Sequence, residues 1–347
     1  MRTSSQVGYA VVGLGHFAEY VVLPGFRDSR KAKLVALVSG DERKARRLAK
    51  KFGASDCYTY DGYAQCLDNS KVDAVYIATN NSTHAKFTVQ AAAAGKHVLC
   101  EKPMAVNVAE CRQMIDACRA NNVLLMIAYR KYFEPASLDL KRLVGSGKLG
   151  RLKFIQSAFS IYLRPRGGRP AWHFDRELAG GGALPDVGVY CVNTARLVTG
   201  QDPVQARAYQ WTVAPQIFKD VDENIAFTLN FPDGLVMQAI ASWGGAEESF
   251  LHIVGEKGWA TLAPAYQYDE VRQLYGRLGG RPFQKKYKVI NELALELDGL
   301  ADCIRRNREP RPSGAEGLRD VAVMEAIYQS AREGRPVSIG GAGPGAT

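Results

Sequence analysis

The feature that most constrains this chain is a glycine-rich turn directly after its first short apolar run. The run Tyr9–Gly13 leads into Gly13-Leu14-Gly15-His16-Phe17-Ala18, after which the pattern becomes helical. Two closely spaced glycines followed by a small residue allow a tight strand-to-helix turn and a close approach of the backbone to a ligand. A chain with this start is expected to form a βαβ unit with a parallel sheet.

Short apolar runs continue to alternate with helical stretches as far as residue 129. The predicted strands are Leu34–Ser39, Ala74–Thr79, His97–Cys100 and Leu124–Tyr129, and the predicted helices are Glu42–Phe52, His84–Ala94 and Val108–Asn121. Parallel strands buried on both faces are short and apolar in this way. We therefore predict a Rossmann dinucleotide-binding domain over residues 1–129.

Beyond residue 129 the strands become longer and alternate in polarity, as in Leu152–Tyr162 and Asn224–Phe231, with hairpin turns at 232–234 and 256–258. This pattern predicts an α+β domain over residues 130–347 with a large, mostly antiparallel open sheet. Three helices are expected to cover one face: Pro185–Thr199, Asn291–Arg308 and Gly314–Glu333. Residues 340–347 are expected to form a flexible tail.

The uncovered face of that sheet has a strand, Leu235–Ile240, that is too apolar for full solvation. We therefore expect a homodimer or homotetramer that forms through the C-terminal sheet.

Composition excludes several classes of protein. The 347 residues are 46% hydrophobic and 23% charged, as in folded globular proteins. The net charge of +10 comes from lysines and arginines scattered among acids, which argues against nucleic acid as a partner. The seven cysteines show no metal-ligand spacing, so we expect reduced thiols and no metal site. No apolar run is long enough for a membrane span and no export signal is evident, so a cytoplasmic protein without a membrane partner is expected.

The glycine-rich turn predicts binding of a dinucleotide, with its pyrophosphate at the helix start. The candidate residues there are Gly13, Gly15, His16, Phe17 and Ala18.

The end of the second strand should distinguish NADP from NAD. Ser39 and Gly40, followed by Arg43 and Lys44, form a plausible pocket for the 2′-phosphate, so NADP is favoured over NAD. Asp41 argues for NAD unless it caps the next helix. The remaining cations of that helix, Arg46, Arg47, Lys50 and Lys51, are expected to be a solvated face.

Two further segments carry candidate catalytic groups. Glu101-Lys102-Pro103 follows the strand His97–Cys100, where open α/β sheets bind ligands, and the proline raises the chance of a cis peptide bond. In the second domain, three glycines at 180–182 precede Asp186 and Tyr190, which share one helical face.

The chain resembles the Gfo/Idh/MocA oxidoreductases over nearly its whole length, and within them the glucose-fructose oxidoreductase branch. The resemblance rests on the segments 8–15, 37–40, 73–77, 95–98 and 101–105, and on 176–182 followed by Asp186-x-Gly188-x-Tyr190.

The resemblance implies that Lys102 is the active-site lysine and that Asp186 and Tyr190 are its partners. It implies that Ser39 and Lys44 hold the 2′-phosphate. It also implies a loop beside the nicotinamide and further residues that line the cleft: Asn80, Asn81, His84, Glu101, Arg130 and Trp172. The implied enzyme transfers a hydride between NADP(H) and a sugar, by aldose oxidation at C1, ketose reduction or both.

These residue types suit that chemistry. Hydride transfer at a sugar carbon requires a matching proton transfer at its oxygen. A free tyrosine titrates near about 10, and a neighbouring ammonium favours its phenolate. We therefore expect Tyr190 to be the acid/base, Lys102 its electrostatic partner and Asp186 the group that orients the lysine.

Two alternatives remain. One is an NADPH-dependent keto-sugar reductase of the 1,5-anhydrofructose reductase or sugar-nucleotide ketoreductase type. The other is a non-catalytic dinucleotide-sensing regulator, against which the joint presence of Lys102, Asp186 and Tyr190 argues.

Overall fold

The computed structural model describes residues 6–163 and 171–340, which divide into two compact units. The first unit runs to Arg130 and also includes Asn291–Leu318, and the second comprises Lys131–Ile290 and the chain from Arg319 onward. Residues 341–347, most of the predicted tail, lie outside the described residues.

The first unit contains a six-stranded parallel sheet in the order β3-β2-β1-β4-β5-β6. Its strands are β1 (Val7–Val12), β2 (Ala32–Val38), β3 (Asp56–Tyr58), β4 (Ala74–Ile77), β5 (His97–Cys100) and β6 (Leu125–Ile127). The helices between them are α1 (Leu23–Asp28), α2 (Glu42–Phe52), α3 (Tyr63–Asp68), α4 (His84–Ala93) and α5 (Val108–Ala120), with a π-helical turn at Ala18–Val22 and a 3-10 turn at Asn81–Thr83. The order reverses between β1 and β4, so the chain after each of these strands is placed to bind a ligand.

The second unit contains a nine-stranded sheet in the order β14-β13-β12-β11-β7-β10-β9-β8-β15, in which only the β7–β10 pair is parallel among the described residues. Its strands are β7 (Leu152–Tyr162), β8 (Gln205–Trp211), β9 (Asn224–Asn230), β10 (Val236–Ser242), β11 (Gly244–Gly255), β12 (Gly258–Ala263), β13 (Arg272–Leu278), β14 (Arg281–Tyr287) and β15 (Val337–Ser338). The Rossmann domain and the mostly antiparallel open sheet are confirmed.

The helices after residue 130 are α6 (Pro135–Gly145), α7 (Arg176–Ala179), α8 (Val189–Thr199), α9 (Glu292–Arg306) and α10 (Gly314–Glu333). A π-helical turn, Leu184–Gly188, runs directly into α8. Helix α8 packs on β7 and is buried along its length from Val189 to Val198. The predicted hairpins at 232–234 and 256–258 are confirmed, since they join the antiparallel pairs β9–β10 and β11–β12.

The position of α9 differs from our expectation. The sequence pattern assigned this helix to the second sheet, but it belongs to the first unit and packs against α1, β2 and β5. The Tyr9 hydroxyl donates to the Leu297 carbonyl at 3.1 Å, and Asp298 accepts from the Ser29 hydroxyl at 2.5 Å. An amphipathic repeat shows that a helix has an apolar face, but not which sheet that face covers.

One face of the second sheet carries exposed apolar side chains. Phe154 on β7 is 40% exposed and Ile240 on β10 is 46% exposed, and the uncharged pair Gln156 and Gln238 lies between them in the register. Tyr209 on β8 is 69% exposed. The predicted apolar character of the uncovered face is therefore present.

No helix of the described chain has both the length and the apolarity that a bilayer span requires.

Candidate functional site

The glycine-rich turn after β1 has the backbone geometry that the sequence predicted. Gly13 has φ +91°, donates its N–H to the Val38 carbonyl at 3.0 Å, and would place a Cβ only 2.5 Å from the Ala78 carbonyl oxygen. A side chain is therefore excluded at this position. At Gly15, in contrast, no described atom lies within 4 Å of the place a Cβ would occupy. The chain becomes helical at His16, and the N–H groups of a first helical turn have no acceptor within their own helix.

The segment after β2 resolves the ambiguity of Asp41. Its carboxylate accepts from the Lys44 N–H at 3.0 Å and caps α2, so the capping interpretation is confirmed. Ser39 is buried, and its hydroxyl accepts from the Asp41 N–H at 3.1 Å. Gly40 lies beside the Tyr60 ring, because a Cβ there would come within 3.2 Å of the ring.

A depression of about 410 Å³ lies at the start of α2, and it is lined by Glu19, Asp41, Arg43, Lys44 and Arg47. Glu19 is only 6% exposed and receives both guanidinium nitrogens of Arg47 at 3.0 Å. These hydrogen bonds lower the pKa of Glu19 against the opposing effect of its burial.

Arg47 is 55% exposed, as expected for a solvated face, but its guanidinium group also pairs with Glu19 and lines the depression. Arg46 is exposed as well and pairs with Glu42 at 2.5 Å.

The loop after β4 is organised by Asn80 and His84. Asn80 accepts from the Thr83 hydroxyl at 2.7 Å, while Asn81 begins the short 3-10 turn before α4. His84 is completely buried, and its Nδ1 donates to the Pro103 carbonyl at 3.0 Å. Burial lowers the pKa of His84 to about 4, so the ring is neutral at physiological pH. His84 thus ties this loop to the segment that carries Lys102.

Lys102 lies two residues after the end of β5, as the sequence predicts. Its peptide bond to Pro103 is cis, and its side chain is partly exposed. Glu101 is buried and accepts from the Tyr76 hydroxyl at 2.5 Å and from the Lys102 N–H at 3.2 Å. Burial raises the pKa of Glu101, and the bond from Tyr76 opposes that rise. Glu101 therefore has internal partners that fix the backbone at Lys102.

Arg130, which the resemblance placed near the cofactor, is 2% exposed and pairs with Glu292 of α9 at 2.5 Å. Glu296, one helical turn further along, is equally buried, and burial raises its pKa well above the usual value. No pattern in the sequence indicates that α9 supplies these carboxylates.

In the second unit, Asp186 lies in the π-helical turn and Tyr190 in the first turn of α8. The Asp186 carboxylate accepts from the indole N–H of buried Trp243 at 3.0 Å. The Tyr190 ring packs edge-on against Phe159, and its hydroxyl lies 3.3 Å from the Tyr268 hydroxyl. Trp243 and Tyr268 were not among the predicted site residues, because both are remote in sequence.

Gly182, the last of the three glycines at 180–182, contacts a buried carboxylate, Asp222, that was not among the predicted site residues. Asp222 accepts from the N–H groups of Gly182 at 2.6 Å and Leu184 at 2.7 Å, and from the Tyr328 hydroxyl at 2.5 Å. A Cβ at Gly182 would lie 2.1 Å from the Asp222 carbonyl oxygen. Burial raises the pKa of Asp222 and these hydrogen bonds oppose the rise. Asp222 thus anchors the turn that presents Asp186.

Trp172 lies in the 3-10 turn Ala171–Phe174 of the second unit. Its ring stacks on His173 with centroids 3.7 Å apart. The geometry of Trp172 relative to a cofactor stays a prediction.

Comparison with known proteins supports the resemblance drawn from the sequence. Residues 7–129 match the family model described as an oxidoreductase family with an NAD-binding Rossmann fold, and residues 137–261 match the model of the GFO/IDH/MocA C-terminal domain. A crystal structure of aldose-aldose oxidoreductase from Caulobacter crescentus is 37% identical, has a TM-score of 0.91, and is matched over 96% of this chain and 99% of that one.

Two further relatives match over most of their length. D-xylose 1-dehydrogenase [NADP(+)] from Haloarcula marismortui is 29% identical over 94% of this chain and 92% of the relative. The 1,5-anhydro-D-fructose reductase from Ensifer adhaerens is 25% identical over 95% and 98% respectively. With both of its domains matched and a full-length relative above 30% identity, the chain belongs to the Gfo/Idh/MocA oxidoreductase family.

Proposed function

We propose that this oxidoreductase uses NADP(H) to transfer a hydride to or from a sugar CH–OH carbon. The observation that carries the proposal is the depression at the start of α2, where Arg43, Lys44 and Arg47 supply cations while Asp41 is engaged in capping. A 2′-phosphate requires cations at this place, whereas recognition of NAD favours a carboxylate that is free to bind the ribose. Sugar substrates are supported by relatives that are named for D-xylose, aldoses and 1,5-anhydro-D-fructose.

The first unit fits a dinucleotide. The open space at Gly15 and the N–H groups of the following turn suit a pyrophosphate, which the positive end of a helix stabilises. Ser39 and Gly40 follow β2 and directly precede Asp41, which lines the depression, and Tyr60 offers an aromatic face next to Gly40. A bound nicotinamide would supply the carbon that gives or accepts the hydride.

The protein's own groups would handle the proton. We assign Tyr190 as the acid/base that takes or returns the proton of the substrate hydroxyl, with Lys102 favouring its phenolate and Asp186 as the orienting carboxylate. The contact between the Tyr190 and Tyr268 hydroxyls supports this role, since a second hydroxyl can stabilise the phenolate or bind the sugar oxygen. The bond from Trp243 holds Asp186 in one orientation.

The test begins with the purified protein and a panel of aldoses and ketoses, with cofactor reduction followed at 340 nm (the absorbance of reduced nicotinamide). We expect turnover with NADP(H) in preference to NAD(H). Tyr190→Phe and Lys102→Ala should each lower kcat at least about a hundredfold, the contribution of a positioned proton-transfer group, while cofactor binding persists. Lys33→Ala, at an exposed lysine of β2, is the control and should leave kcat unchanged. Wild-type turnover in both active-site variants would refute the assignment.

The same assay separates the alternatives. Ping-pong kinetics between two sugars, with cofactor that stays bound, would identify a transhydrogenase. Sequential kinetics with free exchange of cofactor would identify a dehydrogenase or a keto-sugar reductase. Binding of cofactor without turnover of any sugar would favour the dinucleotide-sensing regulator.

We also propose that a second copy of this chain covers the exposed face of the second sheet. Phe154, Ile240 and Tyr209 are exposed there, with the uncharged pair Gln156 and Gln238 between Phe154 and Ile240, so an identical copy could bury this apolar surface. Light scattering should give a dimer or tetramer for the wild type and a smaller species for Phe154→Glu/Ile240→Glu, whereas Lys33→Glu on β2 should keep the wild-type mass. A wild-type monomer at micromolar concentration would exclude this assembly.

A further inference from the structure

The depression at the start of α2 contains a carboxylate as well as its cations. Glu19 lies in the π-helical turn after the glycine-rich loop and is buried to 94%, since only 6% of it is exposed. Its two oxygens accept from the two terminal nitrogens of Arg47 at 3.0 Å. Lys44 approaches Glu19 at 3.8 Å and Lys51 at 3.9 Å.

These three cations lie on one face of α2, at successive spacings of three and four residues, and converge on the single carboxylate. Arg47 and Lys44 also line the depression, with Arg43 and the capping residue Asp41. Glu19 therefore places a negative charge among the cations that we propose bind the 2′-phosphate.

A phosphate that enters this depression must share Lys44 and Arg47 with Glu19, and it meets the negative charge of Glu19 at short range. Both effects weaken its binding. Building on the proposed function, we infer that Glu19 competes with the 2′-phosphate for Lys44 and Arg47, and so lowers the affinity for NADP(H) and speeds its release.

This competition bears on the kinetic behaviour of the enzyme. A cofactor that is held tightly can be reduced by one sugar and oxidised by the next without leaving, whereas a cofactor that leaves readily is exchanged at each turnover. Glu19 therefore shifts the enzyme towards exchange, through contacts made entirely within the first unit.

The test uses ligands that lack the nicotinamide, so that it reads the depression and not the reaction. Binding of 2′,5′-ADP and 5′-AMP is measured by calorimetry for the wild type and for Glu19→Gln, which keeps the shape and one acceptor for Arg47. We expect 2′,5′-ADP to bind about tenfold more tightly to Glu19→Gln, about 1.4 kcal/mol, with 5′-AMP unchanged. Release of NADP⁺ in a displacement experiment should slow about tenfold as well.

Glu42→Gln is the matched control, because Glu42 is an exposed carboxylate near the same end of α2 that pairs with Arg46 and does not line the depression. It should change neither affinity. Unchanged or weaker binding of 2′,5′-ADP to Glu19→Gln would overturn the inference and show that Glu19 instead holds the cations ready for the phosphate.

Two further results keep the outcome clear. If Glu19→Gln does not fold, Lys51→Gln serves in its place, because it removes one of the cations that neutralise Glu19. Lys51→Gln should then weaken 2′,5′-ADP binding more than Lys50→Gln. The second variant removes the same charge from the neighbouring exposed lysine and is the control. Equal effects of these two variants would refute competition by Glu19. A wild type that binds 2′,5′-ADP no better than 5′-AMP would instead refute the proposed use of NADP(H).

Discussion

Removal of the Asp222 carboxylate should destabilise the second unit far more than a change at an ordinary aspartate. Asp222 is 1% exposed and accepts three hydrogen bonds, two of them from the backbone N–H groups of Gly182 and Leu184. In Asp222→Ala both N–H groups lose their buried acceptor, at about 1–3 kcal/mol each. The Tyr328 hydroxyl loses its partner too, so the expected loss is about 4 kcal/mol.

Less drastic variants should give smaller losses. Asp222→Asn keeps one oxygen but turns an amide N–H₂ towards a backbone donor, which leaves one N–H unsatisfied and is expected to cost about 2 kcal/mol. Tyr328→Phe removes only the hydroxyl bond, at about 1–2 kcal/mol. These are large fractions of the about 5–15 kcal/mol by which folded proteins are stable.

Urea unfolding followed by circular dichroism measures these losses, and Asp220→Ala, at an exposed aspartate two residues away, is the control. The control should lose less than about 0.5 kcal/mol. The double variant Asp222→Ala/Tyr328→Phe should lose less than the sum of the two single variants, because both remove the same bond. An Asp222→Ala protein as stable as the Asp220→Ala protein would refute the anchoring role of this carboxylate.

Three further outcomes follow from the geometry. Gly13→Ala should destabilise the first unit by at least about 1–3 kcal/mol, because the φ of +91° at Gly13 and the Ala78 carbonyl exclude a Cβ. Gly15→Ala, in contrast, should unfold in urea like the wild type but should lose affinity for 2′,5′-ADP, as measured by calorimetry. Hydrogen bonds from Lys285, Tyr287 and Arg142 outweigh burial and lower the pKa of Asp139 to about 2, so the stability that Asp139 contributes is present above its usual pKa of 3.8 and lost as pH falls through 2. The difference in unfolding free energy between wild type and Asp139→Asn should therefore be about 2 kcal/mol near pH 5 and shrink below pH 4. Burial lowers the pKa of His84 to about 4, so its neutral ring stabilises the fold fully above pH 6.5 and progressively less down to pH 4, and His84→Asn should flatten the stability profile in that window. A profile for His84→Asn that is parallel to the wild type would show that another group titrates there.

Much of the fold could be predicted because each element of the first domain carries its own local signal. Strands such as β4 and β5 are short, apolar and followed by a helix, and Gly13 is specified by its own backbone conformation. The sequence pattern does not predict strands β13 and β14, because their exposed positions carry polar and basic residues, as in Arg281–Tyr287. Few apolar residues are then left to show the alternation that is typical of a strand. Edge strands often carry such charges to prevent further pairing.

The candidate site was predictable where one segment holds the whole signal. The run Glu101-Lys102-Pro103 and the pair Asp186 and Tyr190 are local motifs, and the cap at Asp41 follows from its place before a helix. Glu19, Asp222 and Trp243 act on residues tens of positions away, and no local pattern connects a buried carboxylate to the cations or N–H groups that it meets after folding. Such partners require the register and packing of the finished structure.

The π-helical turn Leu184–Gly188 makes the orientation of Asp186 sensitive to chain length. A π turn holds one residue more than an α-helix accommodates, and each residue of an α-helix advances the chain by about 100°. Deleting one residue between Asp186 and Tyr190 would let a regular α-helix form and would change their spacing from four residues to three. The pairing that we propose for these two residues would then rest on an i, i+3 contact in place of an i, i+4 contact, without any substitution of either side chain.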